Sequence, residues 1–217
     1  MNFKGIVLVL LTGLLLNVYA SSVIATPALC TNNLNSPINN FCEVQPNKLW
    51  RGAKPDENTA WLINNGVKTI INLELLYDDI DEIEAAQVNQ ARYKIDYFRV
   101  QTWEPLFAFA QKTADKDVIH FLAIALHAKP PIYVHCCAGE NRTGVMIAAY
   151  KIILEDQNKD AVLHEMQSYQ GLWSNAMTEY IQSLSLRREE MLQKVKAFKV
   201  ERPQKIICKQ GNCRSYL

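Results

Sequence analysis

Short β-branched runs alternate along most of the chain with longer stretches whose apolar residues recur every three to four positions. This is the pattern of strands interleaved with helices. Residues 48–55 (KLWRGAKP) read as a short strand ending in a turn. Asp56 then reads as the cap of a helix to Asn65, with apolar positions at Ala60, Trp61 and Ile63 and a stop at Gly66. Residues 67–73 (VKTIINL) are short and rich in β-branched side chains, a buried strand. A helix over 79–91 carries acids in its first turns, and 93–100 is a third strand. Residues 115–128 place Val118, Phe121, Leu122, Ala125 and Leu126 on one helical face, ended by Pro130 and Pro131. Ile132–His135 is an apolar strand running straight into Cys136, and residues 145–154 are apolar on nearly all sides except at Lys151, as in a helix buried mid-domain. Helices over 159–169 and 174–199 complete the chain, the second striped by Met177, Ile181, Leu184, Met191, Val195 and Phe198. The expected fold is α/β: a single domain with a central, mostly parallel sheet of four to five strands, flanked by helices.

The ends differ from this body. Lys4 precedes an apolar run over 6–16, broken only by Thr12 and Gly13, and small residues follow at Ala20, Ser21, Ser22 and Ala25. That order reads as a secretory signal peptide, shorter than the ~20 apolar residues of a spanning helix, with cleavage after Ala20 or Ala25; an uncleaved N-terminal membrane anchor is the alternative reading. The expected location is therefore secreted or periplasmic, with no stable membrane insertion after cleavage. The expected organisation is a signal peptide over 1–25, an Asn-rich, irregular arm over 26–42, a domain over 43–200 and a Cys-containing tail over 201–217. Cys30, Cys42, Cys208 and Cys213 lie near the two ends of the mature chain. Four cysteines allow three pairings: local pairs close the shortest loops, and cross-pairing would staple the termini together.

Composition narrows the function classes. A chain of 217 residues with 49% hydrophobic and 21% charged residues supports one packed domain and excludes disordered, collagen-like and multi-span membrane classes. Lys plus Arg is 23 against 22 acids, so there is no basic field to recruit nucleic acid or anionic membrane. His120, His127 and His164 share no metal-ligand spacing and read as surface residues. Glu74, Asp78, Asp79, Asp81, Glu82 and Glu84 read as a solvated helix start, and Trp61 and Trp173 as core or edge aromatics.

The chemistry concentrates in residues 135–144, HCCAGENRTG, between the most buried strand and the most buried helix. A loop opening a helix leaves backbone N–H groups free to wrap an anion. Cys136 at its head sits where those dipoles and Arg142 favour its thiolate. Arg142 offers a planar fork to two phosphate oxygens, and Gly139 lets the backbone turn without a side chain in the way. For Cys137 the plainer reading is a packing role, although an adjacent thiol could trap oxidised Cys136.

The pattern His-Cys-x5-Arg-Thr-Gly, placed strand–loop–helix, resembles the signature of the cysteine-dependent protein tyrosine and dual-specificity phosphatases. The resemblance extends upstream to LWRGAKP over 49–55, the following helix and the VKTIINL strand, and covers roughly residues 43–190. It implies that Cys136 is the nucleophile of a two-step reaction through a phosphocysteine, with the phosphate cradled by Cys137, Ala138, Gly139, Glu140, Asn141 and Arg142. It also implies that His135 orients the loop, that Thr143 hydrogen-bonds the sulfur, and that neither metal nor cofactor takes part. The family draws a general acid, usually Asp, from a loop about thirty residues upstream. Here Thr102-Trp-Glu-Pro105 puts Glu104 32 positions before Cys136. Asp96, expected on a strand, and Asp115 and Asp117, expected to cap the next helix, compete with it.

The loop has no lysine, and Glu140 would repel additional phosphates. The expected substrate is a phosphorylated protein, a peptide or a small phosphomonoester, unless Lys54 or Arg99 lines the entrance for a phosphoinositide or inositol phosphate. RNA triphosphatases share the Asn-Arg-Thr-Gly ending, but the neutral charge and the leader argue against RNA. Two other classes stand beside catalysis: a phosphate-binding pseudophosphatase lacking its acid, and a secreted interaction protein built on the arm and tail.

Overall fold

The structure, a computed structural model, describes residues 30–87, 94–104, 106–169, 171, 174–209 and 212–216. The segment expected to be a signal peptide, the last turn expected of the 79–91 helix and Trp173 lie outside them. In chain order the elements are β1 (Cys42–Gln45), β2 (Leu49–Gly52), a 3-10 turn (Asp56–Asn58), α1 (Thr59–Asn64), β3 (Thr69–Asn72), α2 (Ile80–Gln87) and β4 (Lys94–Arg99). There follow α3 (Leu106–Phe109), α4 (Gln111–His127), β5 (Ile132–His135), α5 (Asn141–Ile153), α6 (Lys159–Ser168), α7 (Asn175–Leu186), α8 (Arg188–Ala197), β6 (Gln204–Lys209) and β7 (Asn212–Tyr216).

The strand order is β1-β2-β5-β3-β4-β6-β7. The central four strands are parallel, and β1, β6 and β7 are antiparallel additions at the edges. Every residue of β2, β3 and β5 is buried, as strands covered on both faces require. Their register aligns Gly52, His135 and Asn72 at one carboxyl edge, where the chain leaves β5 for the 136–140 loop. That edge is where open α/β sheets place their ligands.

Two apolar layers cover the sheet. One joins α4, α5, α7 and α8, with α5 buried at every position from Thr143 to Ile153. Each large aliphatic side chain taken fully out of water there contributes about 1.5–3 kcal/mol. The other layer joins α1, α2 and the arm, where Phe41 meets Trp50, Trp61 and Tyr133 edge-on or stacked.

Several expectations change. The single helix over 174–199 is two helices, because Arg187 leaves helical geometry (φ −112°, ψ 15°) and its guanidinium clasps Asp115 at 2.7 and 3.1 Å. The arm, which has no helix or named strand over its described residues 30–41, is packed against the domain: Ile38 and Phe41 are buried, β1 follows it and pairs with β2, and Cys30 is disulfide-bonded to Cys42. The tail forms the β6–β7 hairpin on β4, whose register sets Cys208 opposite Cys213. Asp56 caps no helix; it lies in the 3-10 turn, and α1 starts at Thr59. Because α4 begins at Gln111, Asp115 and Asp117 lie inside it and cap nothing. His120 is half-buried beside the Phe198 ring. Among the described residues no helix is long and apolar enough to cross a membrane.

Candidate active site

The loop between β5 and α5 is held by its carbonyls. Lys54 N–H donates to Cys137 O (3.0 Å), Asn40 Nδ2 to Ala138 O (2.9 Å), and Arg51 Nη2 to Gly139 O. The two ends of a planar trans peptide point opposite ways, so these bonds turn the N–H groups of Ala138, Gly139 and Glu140 to the other side of the loop. α5 has no side-chain cap, which leaves its first turn open to an anion. Gly139 sits at φ +72°, and a Cβ there would overlap the Gly52 carbonyl, so the close approach to β2 admits only glycine.

Cys136 is buried at the head of this loop and Cys137 is exposed, both as free thiols. Arg142, in the first turn of α5, donates from Nη1 to Leu73 O (3.3 Å). Its Nε lies 3.3 Å from Glu104 Oε1, an ion pair without hydrogen-bond alignment. The two residues line a cleft of about 380 Å³ with Glu74, Leu75, Leu76, Tyr77, Thr102 and Trp103. Thr143 Oγ1 is buried and makes no hydrogen bond, to Cys136 Sγ or to any other described atom.

The other carboxylates of the acid question are engaged elsewhere. Asp96 pairs with Lys129 (3.2 Å), and Asp115 with Arg187 and the Tyr180 hydroxyl. Asp117 accepts from Thr102 Oγ1 (3.5 Å) at the base of the 100–104 loop, and burial pushes its carboxyl up to about 6. Of the four, only Glu104 pairs with Arg142.

Beneath the loop lies a buried network that sequence reading missed. His135 Nε2 contacts Asp79 Oδ2 at 2.8 Å, and His135 Nδ1 lies 3.4 Å from Cys136 O. Asp79 Oδ2 also accepts from Asn72 Nδ2 (2.9 Å) and the Tyr97 hydroxyl (3.2 Å), and Asp79 N–H donates to that hydroxyl oxygen (3.0 Å). Burial alone would raise the Asp79 carboxyl, but His135, Asn72 and Tyr97 together hold it below the usual carboxylate range. Asp79 and Glu74, expected in a solvated helix start, are therefore buried. No pattern in the sequence separates Asp79 from its acidic neighbours. Arg51 did carry a signal, a charge within a strand that is otherwise apolar.

A parallel α/β sheet whose central strand delivers a Cys-x5-Arg loop to a buried helix is the architecture of the cysteine-based tyrosine and dual-specificity phosphatases. Residues 31–185 match the family described as DSP-PTPase phosphatase fused to NAD+ kinase, and the chain belongs to that family. Among curated proteins it is 27% identical to the dual specificity protein phosphatase TpbA of Pseudomonas aeruginosa over 152 residues, 69% of this chain. The match spans 63% of that protein and 50% of its counterpart in a second strain, little more than half their length. It is also 31% identical over 112 residues to NAD kinase 2, chloroplastic, of Arabidopsis thaliana, covering 48% of this chain and 10% of that protein. The crystal structure of P. aeruginosa TpbA superposes with a TM-score of 0.58 at 25% identity, covering 76% of this chain and 98% of that one. The core catalytic domain of PP-IP phosphatase SIW14 from S. cerevisiae shares the fold (TM-score 0.56, 16% identity, 76% and 98% coverage).

Proposed function

We propose that the protein hydrolyses phosphomonoesters through a phosphocysteine intermediate, and that its substrates are phosphotyrosine and phosphoserine/threonine in proteins or peptides. The observation that carries this reading is the outward clamping of three successive loop carbonyls, which leaves an anion cradle at Cys136 and Arg142. Cys136 Sγ attacks phosphorus in line; the S–P bond forms as the P–O bond to the ester oxygen breaks, and Glu104 gives its proton to that oxygen. Arg142 and the loop N–H groups meet the charge developing on the equatorial oxygens. Water, losing a proton to the Glu104 carboxylate, then attacks phosphorus and breaks the S–P bond, which returns the thiolate and releases orthophosphate. His135 holds the loop, and Thr143, whose buried hydroxyl makes no hydrogen bond among the described residues, is the donor to the departing sulfur in this reading.

The cleft supports the choice of substrate. Its walls are Leu75, Leu76, Tyr77 and Trp103, its carboxylates are Glu74 and Glu104, and among the described residues Arg142 is the one cation lining it. Lys54 is paired with Glu82 and Asp56, and Arg99 is engaged by the Glu74, Leu75 and Tyr77 carbonyls, which supports a reading in which neither is free to meet extra phosphates. An apolar, acidic mouth suits a phenyl ring or peptide better than an inositol polyphosphate. Export to a secreted or periplasmic location is part of the proposal, supported by the leader-like N-terminus and the Cys30–Cys42 disulfide.

The test is phosphate release from an aryl phosphate and a phosphotyrosine peptide by reduced protein, beside Cys136→Ser. Loss of more than about a thousandfold in the variant is expected. Phosphopeptide binding without release by folded wild type would replace catalysis with a phosphate-binding module.

A further inference from the structure

Arg51 is 1% exposed, lies on β2, the outer strand of the parallel set, and enters the reading above only through its bond to the Gly139 carbonyl. Its side chain passes behind the phosphate loop. One guanidinium nitrogen donates to Gly139 O, the Tyr169 ring stacks on its plane at 3.7 Å, and Nε is buried with no partner among the described residues. The surrounding chamber is lined by Gly144, Ile147, Ala148, Val162 and Met166, with one buried ion pair, Lys151–Glu165, at 2.5 Å.

The charges in this chamber do not balance. Among the described residues lining it, Arg51 and Lys151 are two cations against the single carboxylate of Glu165. Tyr169 and Tyr133 supply no anion, because burial pushes both phenols above their ordinary value and keeps them neutral. An unmatched buried guanidinium is costly. The anion able to offset it is in the loop itself: Arg51 grips that loop at Gly139 O, three positions after Cys136. Of the loop's neighbours, His135 is engaged by Asp79 and Arg142 by Glu104.

We propose that Arg51 is a positioning residue that ties the Gly139 carbonyl to the sheet and supplies, from behind the loop, the counter-charge of the Cys136 thiolate. The inference rests on the reading of Cys136 as nucleophile. The same bond that turns Gly139 O outward aims the Glu140 N–H at the anion, so one side chain sets both the loop's shape and its charge.

The test is the pH dependence of Cys136 alkylation by iodoacetamide, read by mass spectrometry in a Cys137→Ser background, a measurement that needs no turnover. Arg51→Met is expected to raise the alkylation midpoint by about one pH unit or more, and the acidic limb of kcat/KM should move with it. Arg51→Lys is expected to keep the midpoint while lowering kcat, because a point charge does not reproduce the guanidinium's grip on Gly139 O. A merely structural arginine would lower thermal stability and leave the midpoint in place, and that result overturns the proposal. If Arg51→Met does not fold, Glu165→Gln carries the test: removing the one carboxylate should lower the midpoint, and an unchanged midpoint counts equally against the idea. Phosphate release that survives Cys136→Ser would refute the nucleophile reading itself, which the alkylation shift does not measure.

Discussion

His135 Nε2 and Asp79 Oδ2 meet at 2.8 Å with both side chains wholly buried beneath the phosphate loop. The contact joins the strand that delivers Cys136 to the start of α2, and Asn72 and Tyr97 complete the carboxylate's shell. Because the Asp79 carboxyl is held below its unfolded value of ~3.9, it contributes stability that is present above that pH and is lost as pH falls through the folded value. Asp79→Asn is expected to cost about 3 kcal/mol at pH 7. The gap to wild type should narrow below pH 4. Urea denaturation from pH 3 to 7 checks this, and a gap that does not change with pH would remove the carboxylate from the argument.

Glu104 ion-pairs with Arg142 at 3.3 Å but is 38% exposed, so the pair adds little stability, and the role proposed for it is proton transfer. Glu104→Gln should leave the melting temperature nearly unchanged. Turnover of alkyl and phenyl phosphates is expected to fall by about 10²–10⁴, with a far smaller loss for a nitrophenyl ester whose leaving group needs no proton. Equal losses across the leaving-group series would move the acid to another residue, with Asp117 next in line.

The opposite pH behaviour is expected at Asp117. Burial raises its carboxyl to about 6, so the fold favours the protonated form, and stability from this site is lost as pH rises through 6. Asp117→Asn should therefore melt higher than wild type at pH 7.5 and match it at pH 4. Thermal scans at the two pH values decide the matter. A lower melting point at pH 7.5 would show that the Thr102 contact outweighs the burial of charge.

What could be read from the sequence was what is local. The ten residues from His135 to Gly144 carry their strand–loop–helix geometry in contiguous chain, and Glu104 was reachable by its distance from Cys136. The buried network was not, since burial of Asp79 is decided by Tyr97 and His135, 18 and 56 positions away. The break at Arg187 was hidden because Met177, Ile181, Leu184, Met191 and Val195 continue one apolar stripe into the same core. No Gly or Pro marks it; the cause is Asp115, 72 positions upstream. The β6–β7 hairpin likewise depends on the open edge of β4, which a window of sequence does not contain.

Asn40 offers the last prediction, because it joins the disulfide-tied arm to the phosphate loop. It sits at φ 53°, a conformation asparagine tolerates, and its amide reaches Ala138 O at 2.9 Å and Glu140 Oε1 at 3.4 Å. Asn39 O fixes the same turn by accepting from Ala53 N–H at 2.9 Å. One hydrogen bond of this kind is worth about 1 kcal/mol, so Asn40→Ala should lower kcat/KM for an aryl phosphate about fivefold, and because alanine is strained at this φ it should also cost about 1–2 kcal/mol in the melt. The Cys30→Ser/Cys42→Ser double variant releases a loop of sequence separation 12, which by loop closure costs about 2–3 kcal/mol, and it should show the same kinetic loss in addition. Steady-state kinetics beside urea melts separate the two effects. Full activity in the double variant would mean that Ile38 and Phe41, packed against Trp50 and Tyr133, hold the arm on the loop without the disulfide.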